Sequence, residues 1–177
     1  MAFKRAHRTG QITVLPLLSD PEYRERRTAR ILAGTAAEDI EAEEDRFRTT
    51  LDPACLLTNL SGVCRVTLRA LSGEAFAQAE EAAALASASL SDPKARAVRY
   101  SGAYIMGVLE RAIIDSGIEG IPAVTTGRFP LDTLHGPGGI GAHWPAYSAE
   151  VFGLAHAWSH MGESVGSSCA PLSDGPT

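Results

Sequence analysis

Four histidines near the end of the chain have the residue type and spacing of metal ligands. His156 and His160 are four residues apart in a segment that we expect to be helical, so both imidazoles would lie on one face. His135 and His143 lie on either side of a glycine-rich stretch just before that segment. These four side chains could bind zinc or a similar ion, and a metal-binding protein or metal-dependent enzyme is one hypothesis.

The same histidines also fit a purely structural role. The segment reads His156-Ala157-Trp158-Ser159-His160, and it lacks the glutamate that follows the first histidine in the H-E-x-x-H helix of zinc enzymes. Two histidines near the C-terminal end of a helix also interact favourably with the helix dipole when no ion is bound. We therefore predict structural histidines and no cofactor, and we keep the metal site as the alternative.

Two short motifs match functional patterns but stand in the wrong context. Residues 136–141 fit G-x-G-x-x-G, which needs a strand before it and a helix directly after it to bind a dinucleotide. The preceding residues contain a proline and an aspartate and make a poor strand. Residues 162–166 fit the G-x-S-x-G nucleophile motif, but they follow a predicted helix and lead into a Ser/Gly/Pro-rich tail. We predict no catalytic residue; a small-ligand binder that uses the glycine loop is a third hypothesis.

Composition and charge exclude several classes of protein. The chain has 177 residues, of which 45% are hydrophobic and 21% charged, as in an ordinary globular domain. Its net charge of −5 argues against a general nucleic-acid binder. No run approaches the ~18 apolar residues of a membrane span. Because Cys55, Cys64 and Cys169 form no paired motif, we expect a reducing, cytoplasmic location. From the charge and the hydropathy together, we expect neither a membrane nor a nucleic acid as a partner.

Capping residues predict the positions of the helices. Each Asp-Pro pair reads as a helix start, because aspartate accepts hydrogen bonds from the first turn and proline suits the next position. Such pairs begin at Asp20, Asp52 and Asp92. Thr35 opens a capping box with Glu38, and Ser72 is a further N-cap. The expected helices cover residues 21–33, 36–48, 73–90, 93–115 and 145–161.

Alternating residues predict one clear strand, at residues 63–71. Cys64, Val66, Leu68 and Ala70 fall on one side of it, and polar residues fall on the other. A half-buried strand needs a partner, and residues 11–15 are the only good candidate. The sequence therefore predicts a small two-stranded β element beside the helices.

The predicted fold class is mainly α, a helical domain with that β element and a long Gly/Pro-rich loop at residues 118–142. We expect the helices at 73–90 and 93–115 to form an antiparallel pair at the centre of the core. The second carries an apolar stripe of Val98, Ile105, Leu109, Ala112 and Ile113. Residues 1–161 would form a single domain, and residues 162–177 a disordered tail.

Opposite charges gather on the first two predicted helices. The first carries Arg24, Arg26, Arg27 and Arg30, and the second is rich in glutamate and aspartate. Because the second offers little beyond Ile40 and Phe47 for burial, we expect it to present a solvated face. The two helices either compensate each other's charge or form a charged face for a partner protein.

The sequence around the predicted strand resembles that of a phage protein family. Residues 67–76 read T-L-R-A-L-S-G-E-A-F and contain R-x-L-[ST]-G-E at a strand-to-helix junction. An Ala-rich helix, a longer helix from Asp92, a glycine-containing loop and a short amphipathic helix from about Pro145 follow. Over residues 63–161 this order is similar to that of small tail-assembly chaperones and related tail accessory proteins of bacteriophages and prophages. The resemblance implies a non-catalytic protein that binds tape-measure or tube proteins during tail assembly, and it transfers no residue roles.

The leading hypothesis is an α-rich, non-enzymatic assembly or protein-interaction factor with a structural protein partner, of phage tail type if the resemblance holds. It rests on the absence of a catalytic motif in a supporting context and on exposed charged helices beside a long loop. The metal-binding alternative uses His135, His143, His156 and His160.

Overall fold

The fold combines six α-helices and three short strands within the part of the chain that the structure describes. This is a computed structural model, and it describes residues 10–118, 120–135 and 143–160, with the backbone alone for residue 135. The elements are β1 (Gln11–Val14), α1 (Pro21–Leu32), α2 (Ala37–Thr50), β2 (Val66–Arg69), α3 (Gly73–Ser87), α4 (Pro93–Ala112), β3 (Ile113–Asp115), α5 (Asp132–His135) and α6 (Trp144–His160). A single 3₁₀ turn, Pro53–Cys55, follows α2. The mainly α fold class is confirmed.

The helices begin where aspartate and serine cap them. The Asp20 carboxylate accepts from the N–H of Tyr23, and Asp52 and Asp92 accept in the same way from the first turns that follow them. Ser72 caps α3 as predicted. The capping box at Thr35 is wrong: its backbone N–H donates to the Arg30 carbonyl and closes α1, so α2 begins one residue later without a side-chain cap.

The sheet has three strands in the order β1-β2-β3, all antiparallel. The predicted pairing of the first two strands is confirmed, with Ile12 opposite Leu68 and Val14 opposite Val66. The prediction of only two strands is wrong, and so is the extension of α4 to residue 115. Residues 113–115 leave the helix in an extended conformation and pair with the free edge of β2, which satisfies their backbone groups.

A tight turn after β3 explains one glycine. Gly117 has a φ of +68°, and a Cβ atom at this position would lie 1.8 Å from the carbonyl oxygen of Arg65. Because that oxygen belongs to the backbone, no other residue fits here.

The core lies between the sheet, α6 and the second half of α4. The segment before residue 136 also contributes, because Phe129, Leu131 and Leu134 are buried and α5 forms within the predicted loop. Other large side chains that are fully buried include Tyr23, Ile40, Phe47, Leu68, Leu109 and Ile113. Each such side chain contributes about 1.5–3 kcal/mol by leaving water.

Two carboxylates of α2 are buried against arginines of α1. Glu43 accepts hydrogen bonds from both terminal nitrogens of Arg30, at 2.7 and 2.8 Å. Glu44 accepts from Arg27 Nε at 2.9 Å and from the Tyr23 hydroxyl at 3.1 Å. Charge compensation between the two helices is therefore confirmed. The expectation that α2 buries little beyond its apolar residues is wrong, because paired carboxylates can leave water where lone ones cannot.

The α3–α4 hairpin belongs to the core only at its base. Helix α3 buries only Ala79, Ala83 and Ser87, which face α4. In residues 84–102, which we call the distal arm, Ser87 is the single buried residue. The predicted apolar stripe is wrong at its first member, since Val98 is 76% exposed. The two helices pack on each other through small side chains, and most of the arm projects into solvent.

Candidate protein-interaction surface

An open apolar groove, the hairpin groove, runs along one side of the α3–α4 pair and ends at the start of α6. Its volume is about 640 Å³. The floor consists of small and apolar residues: Ala82 and Ala86 from α3, Val98, Gly102, Ala103, Ile105 and Met106 from α4, and Trp144 from α6. A groove of this volume with a mainly apolar floor lies within the size range of binding clefts in proteins.

The groove is open at Gly102. An ideal Cβ atom built there meets nothing within 4 Å, so the space above this glycine is open. Val98 lies one helical turn before it and Ile105 about one turn after it, on the same outward side of α4. An apolar side chain of a partner could therefore enter between these two residues.

The rim of the groove carries more positive than negative charge. Its charged residues are Arg99, Arg111, Arg128 and Glu110. Arg128 and Glu110 form a long ion pair on the rim, at 3.8 Å. Arg111 donates to the carbonyl of Gly107 instead of to a carboxylate. Partial burial, and then the charge of Arg128, lower the pKa of Arg111. The rim is therefore cationic on a chain whose net charge is −5.

A strip of aromatic rings runs from α4 across α6 to α3. Tyr104 stacks edge-on against Phe152 at 5.8 Å between ring centroids, and Phe152 lies 4.9 Å from His156. The rings of Phe76 and His156 are 4.7 Å apart, and Phe76 also stacks on His160 at 5.5 Å. All five residues are half-buried. The strip fixes α6 against the base of the hairpin.

The structure brings together only two of the four candidate metal ligands. The rings of His156 and His160 are 5.3 Å apart, whereas His143 precedes the first residue of α6 and His160 ends it. A helix of 17 residues separates these two by about 25 Å, so one ion cannot bind both. The His135 side chain lies outside the described residues. Within the described part of the chain, no group of three or more His, Cys, Asp or Glu residues could hold a metal.

Burial and a like charge favour the neutral form of one histidine. Partial burial between the aromatic rings, and then the neighbouring His160, lower the pKa of His156. The contacts with Phe76 and Phe152 account for the position of both imidazoles without an ion. A neutral imidazole is also the form that ligates metals, so the pair itself remains a candidate for weak binding.

A second apolar cleft lies on the opposite side of α6. It has a volume of about 540 Å³ and is lined mainly by Leu17, Leu18, Phe47 and small residues of α6. The Glu150 carboxylate in its wall accepts from the backbone N–H groups of Leu18 and Ser19, each at 2.8 Å. Burial raises the pKa of Glu150 and these hydrogen bonds counteract the rise. This carboxylate anchors the segment before α1 to α6.

The hairpin groove was not predicted from the sequence. Small residues at Ala82, Ala86 and Gly102 were a usable signal, because exposed helix positions are more often filled by long polar side chains. The two glycine motifs, residues 136–141 and 162–166, lie outside the described residues, as does the tail. The described segment before the first motif contains no strand between residues 120 and 135.

Comparisons with known proteins give no relative from which to transfer a function. No protein-family model, curated protein or solved structure matches this chain. Among the described residues, no helix has the length and apolar composition to span a bilayer. The function is therefore inferred from the surface itself.

Proposed function

We propose that this chain is a non-catalytic protein-interaction factor of the cytoplasm that binds a structural protein through the hairpin groove. The observation that carries the proposal is the open apolar floor of that groove, which extends from the base of the hairpin onto the distal arm. Val98 is 76% exposed, and full burial of this one side chain against a partner would stabilise the complex by about 1.5–3 kcal/mol. A partner helix or surface that covers the floor would gain this free energy. The unpaired Cys55 and Cys64 agree with a reducing compartment.

We further propose that the partner belongs to a phage tail, as a tape-measure or tube protein. The R-x-L-[ST]-G-E text, residues 69–74, spans the end of β2 and the start of α3. In the tail-assembly chaperones that the sequence resembles, this motif marks a junction between a strand and a helix. The agreement supports the resemblance.

Co-expression with the products of the flanking genes tests the proposal. We expect one of them to remain bound through size-exclusion chromatography, and we expect Val98→Glu to abolish this complex because it places a charge on the groove floor. Leu57→Glu is the matched control, since Leu57 is 78% exposed and lies away from the groove. The proposal fails if the chain elutes alone with every flanking product, or if both variants behave alike.

Metal binding is a second candidate, favoured by the close pair His156 and His160. Elemental analysis of untagged protein tests it, with the double variant His156→Ala, His160→Ala as the control. A stoichiometric metal that disappears in the double variant would support this function. A content far below one ion per chain in both proteins would remove it.

A further inference from the structure

We propose that the hairpin groove binds an acidic amphipathic α-helix of the partner protein. This inference rests on the proposed function, because both use the same groove, but it goes further by naming the chemistry of the occupant. Three features of the groove carry it: the form of its floor, the small residues within it and the charge of its rim.

The form of the floor favours a helix over an extended peptide. An added strand is held by main-chain hydrogen bonds to an exposed sheet edge, and the groove is built from helices whose backbone groups are already paired. A helix satisfies its own backbone groups and needs only side-chain contacts from the groove. Apolar residues at positions i, i+3, i+4 and i+7 of the occupant would then meet the floor.

Small residues on the floor permit close packing of such a helix. Ala82 and Ala86 lie one turn apart on α3, and Gly102 and Ala103 lie beside them on α4. Since nothing stands within 4 Å of a Cβ position at Gly102, a leucine-sized side chain could enter there between Val98 and the next turn of α4. The groove therefore resembles the space between two helices of a bundle, with the third helix supplied by the partner.

The charge of the rim selects acidic flanks on the occupant. Arg99 and Arg111 have no carboxylate within salt-bridge distance among the described residues, and Arg128 has only the long contact with Glu110. Carboxylates on both sides of the apolar stripe would pair with these guanidinium groups. An acidic helix is repelled by the rest of a chain of net charge −5, so the rim would also orient its approach.

Designed peptides test the proposal directly. The probe is a labelled helical peptide of about five turns with leucines on one face and glutamates beside them, long enough to cover the groove. In the matched control peptide every glutamate is replaced by lysine. We expect fluorescence anisotropy to give at least about tenfold tighter binding for the glutamate peptide, with the difference shrinking at high ionic strength. Equal binding of both peptides, or tighter binding of the lysine peptide or of a single-stranded oligonucleotide, would overturn the proposal.

Two variants locate the binding site. Gly102→Trp fills the groove at an open helical position, and Gly153→Trp is its matched control, because Gly153 is also open and helical but lines the cleft on the other side of α6. We expect the first to weaken the glutamate peptide about tenfold or more and the second to leave it unchanged. Arg99→Glu, at an exposed position, should narrow the preference for the glutamate peptide even if the tryptophan variant is poorly folded. If Gly102→Trp and Arg99→Glu both bind like the unaltered chain, the assigned site is wrong.

The outcomes separate this inference from the proposed function. Suppose that a natural partner is lost on Val98→Glu while the two peptides bind equally. This result would support the proposed protein-interaction function and reject the acidic helix as the occupant. Self-association of the chain that Gly102→Trp abolishes would identify a second copy as the occupant and also reject it. Peptide preference without a natural partner among the flanking products would reject the proposed function and keep the preference of the groove for an acidic helix.

Discussion

Removing the buried carboxylate of Glu43 should destabilise the protein far more than removing an exposed one. The Glu43 side chain is 4% exposed, and it holds Arg30 through two hydrogen bonds and the backbone N–H of Leu57 through a third, at 3.0 Å. In Glu43→Ala the guanidinium loses its counter-charge and the N–H loses its acceptor. The matched control is Glu41→Ala, whose carboxylate is 63% exposed and contacts Arg27 at 3.4 Å.

The magnitude follows from the burial of each partner. Breaking one side of a fully buried ion pair costs about 3–5 kcal/mol. The Arg30 side chain is 21% exposed, so water partly replaces the lost carboxylate, and we expect a loss of about 2–3 kcal/mol in the free energy of unfolding. An exposed pair contributes little, and Glu41→Ala should therefore cost less than about 0.5 kcal/mol.

The dependence of stability on pH provides a second test of the same ion pair. The hydrogen bonds from Arg30 are the main cause that lowers the pKa of Glu43 in the folded chain. The carboxylate therefore stabilises the fold above the pKa that it has when unfolded, and this contribution is lost as pH falls through the lower folded pKa. Glu43→Gln keeps an acceptor for Leu57 but no charge, so its difference from the unaltered chain should be large at neutral pH and shrink in acid.

Urea denaturation followed by far-UV circular dichroism measures both effects. The reasoning would be refuted if Glu43→Ala and Glu41→Ala lowered the free energy of unfolding equally at neutral pH. It would also be refuted if the difference between Glu43→Gln and the unaltered chain stayed constant down to strongly acidic pH.

Three further predictions concern two helix glycines, one buried hydroxyl and one buried thiol. Gly102→Ala should raise the free energy of unfolding by about 0.5–1 kcal/mol, because nothing lies within 4 Å of the added Cβ atom. Gly107→Leu should lower it by about 1–3 kcal/mol, because even a Cβ atom there would lie 3.2 Å from α3. Urea titrations of the two variants measure both changes. Ser159→Ala should cost about 1–2 kcal/mol, measured in the same way, because the buried hydroxyl accepts from the N–H of Leu71 at 3.0 Å. Burial raises the pKa of Cys64 to about 11, so alkylation of the native thiol should accelerate about tenfold per pH unit below that value, and a flat rate would contradict this.

Local chemistry explains what the sequence could predict. A cap needs only an aspartate or serine and the N–H groups two or three residues later, and Asp20, Asp92 and Ser72 begin helices as expected. Alternation of side chains over residues 63–71 was enough to identify β2, although the strand itself covers only Val66–Arg69. Both kinds of signal depend on residues close together in the chain.

Long-range contacts explain what it could not predict. The burial of Glu43 depends on Arg30, which the turn between α1 and α2 brings alongside it. Strand β3 forms because the edge of β2 is free to pair, and nothing in residues 113–115 themselves excludes a helix. Val98 has the spacing of a core residue, but the buried part of α4 begins only at Gly107.

The candidate site was predictable only in part. The pairing of His156 with His160 follows from their spacing on α6, whereas the distance of His143 follows from where that helix begins. The hairpin groove depends on how α3, α4 and the start of α6 pack together, and no local pattern encodes that packing. Its arginines are also scattered in the sequence, at residues 99, 111 and 128.

The distal arm has a consequence for how this protein can change over generations. Since Ser87 is the single buried residue among positions 84–102, substitutions on the outer faces of the arm disturb no side chain of the core. The part of the proposed binding surface that lies on the arm can therefore diverge rapidly while the body of the molecule stays constant. The same independence makes the arm a suitable place to graft a foreign epitope in a designed binder.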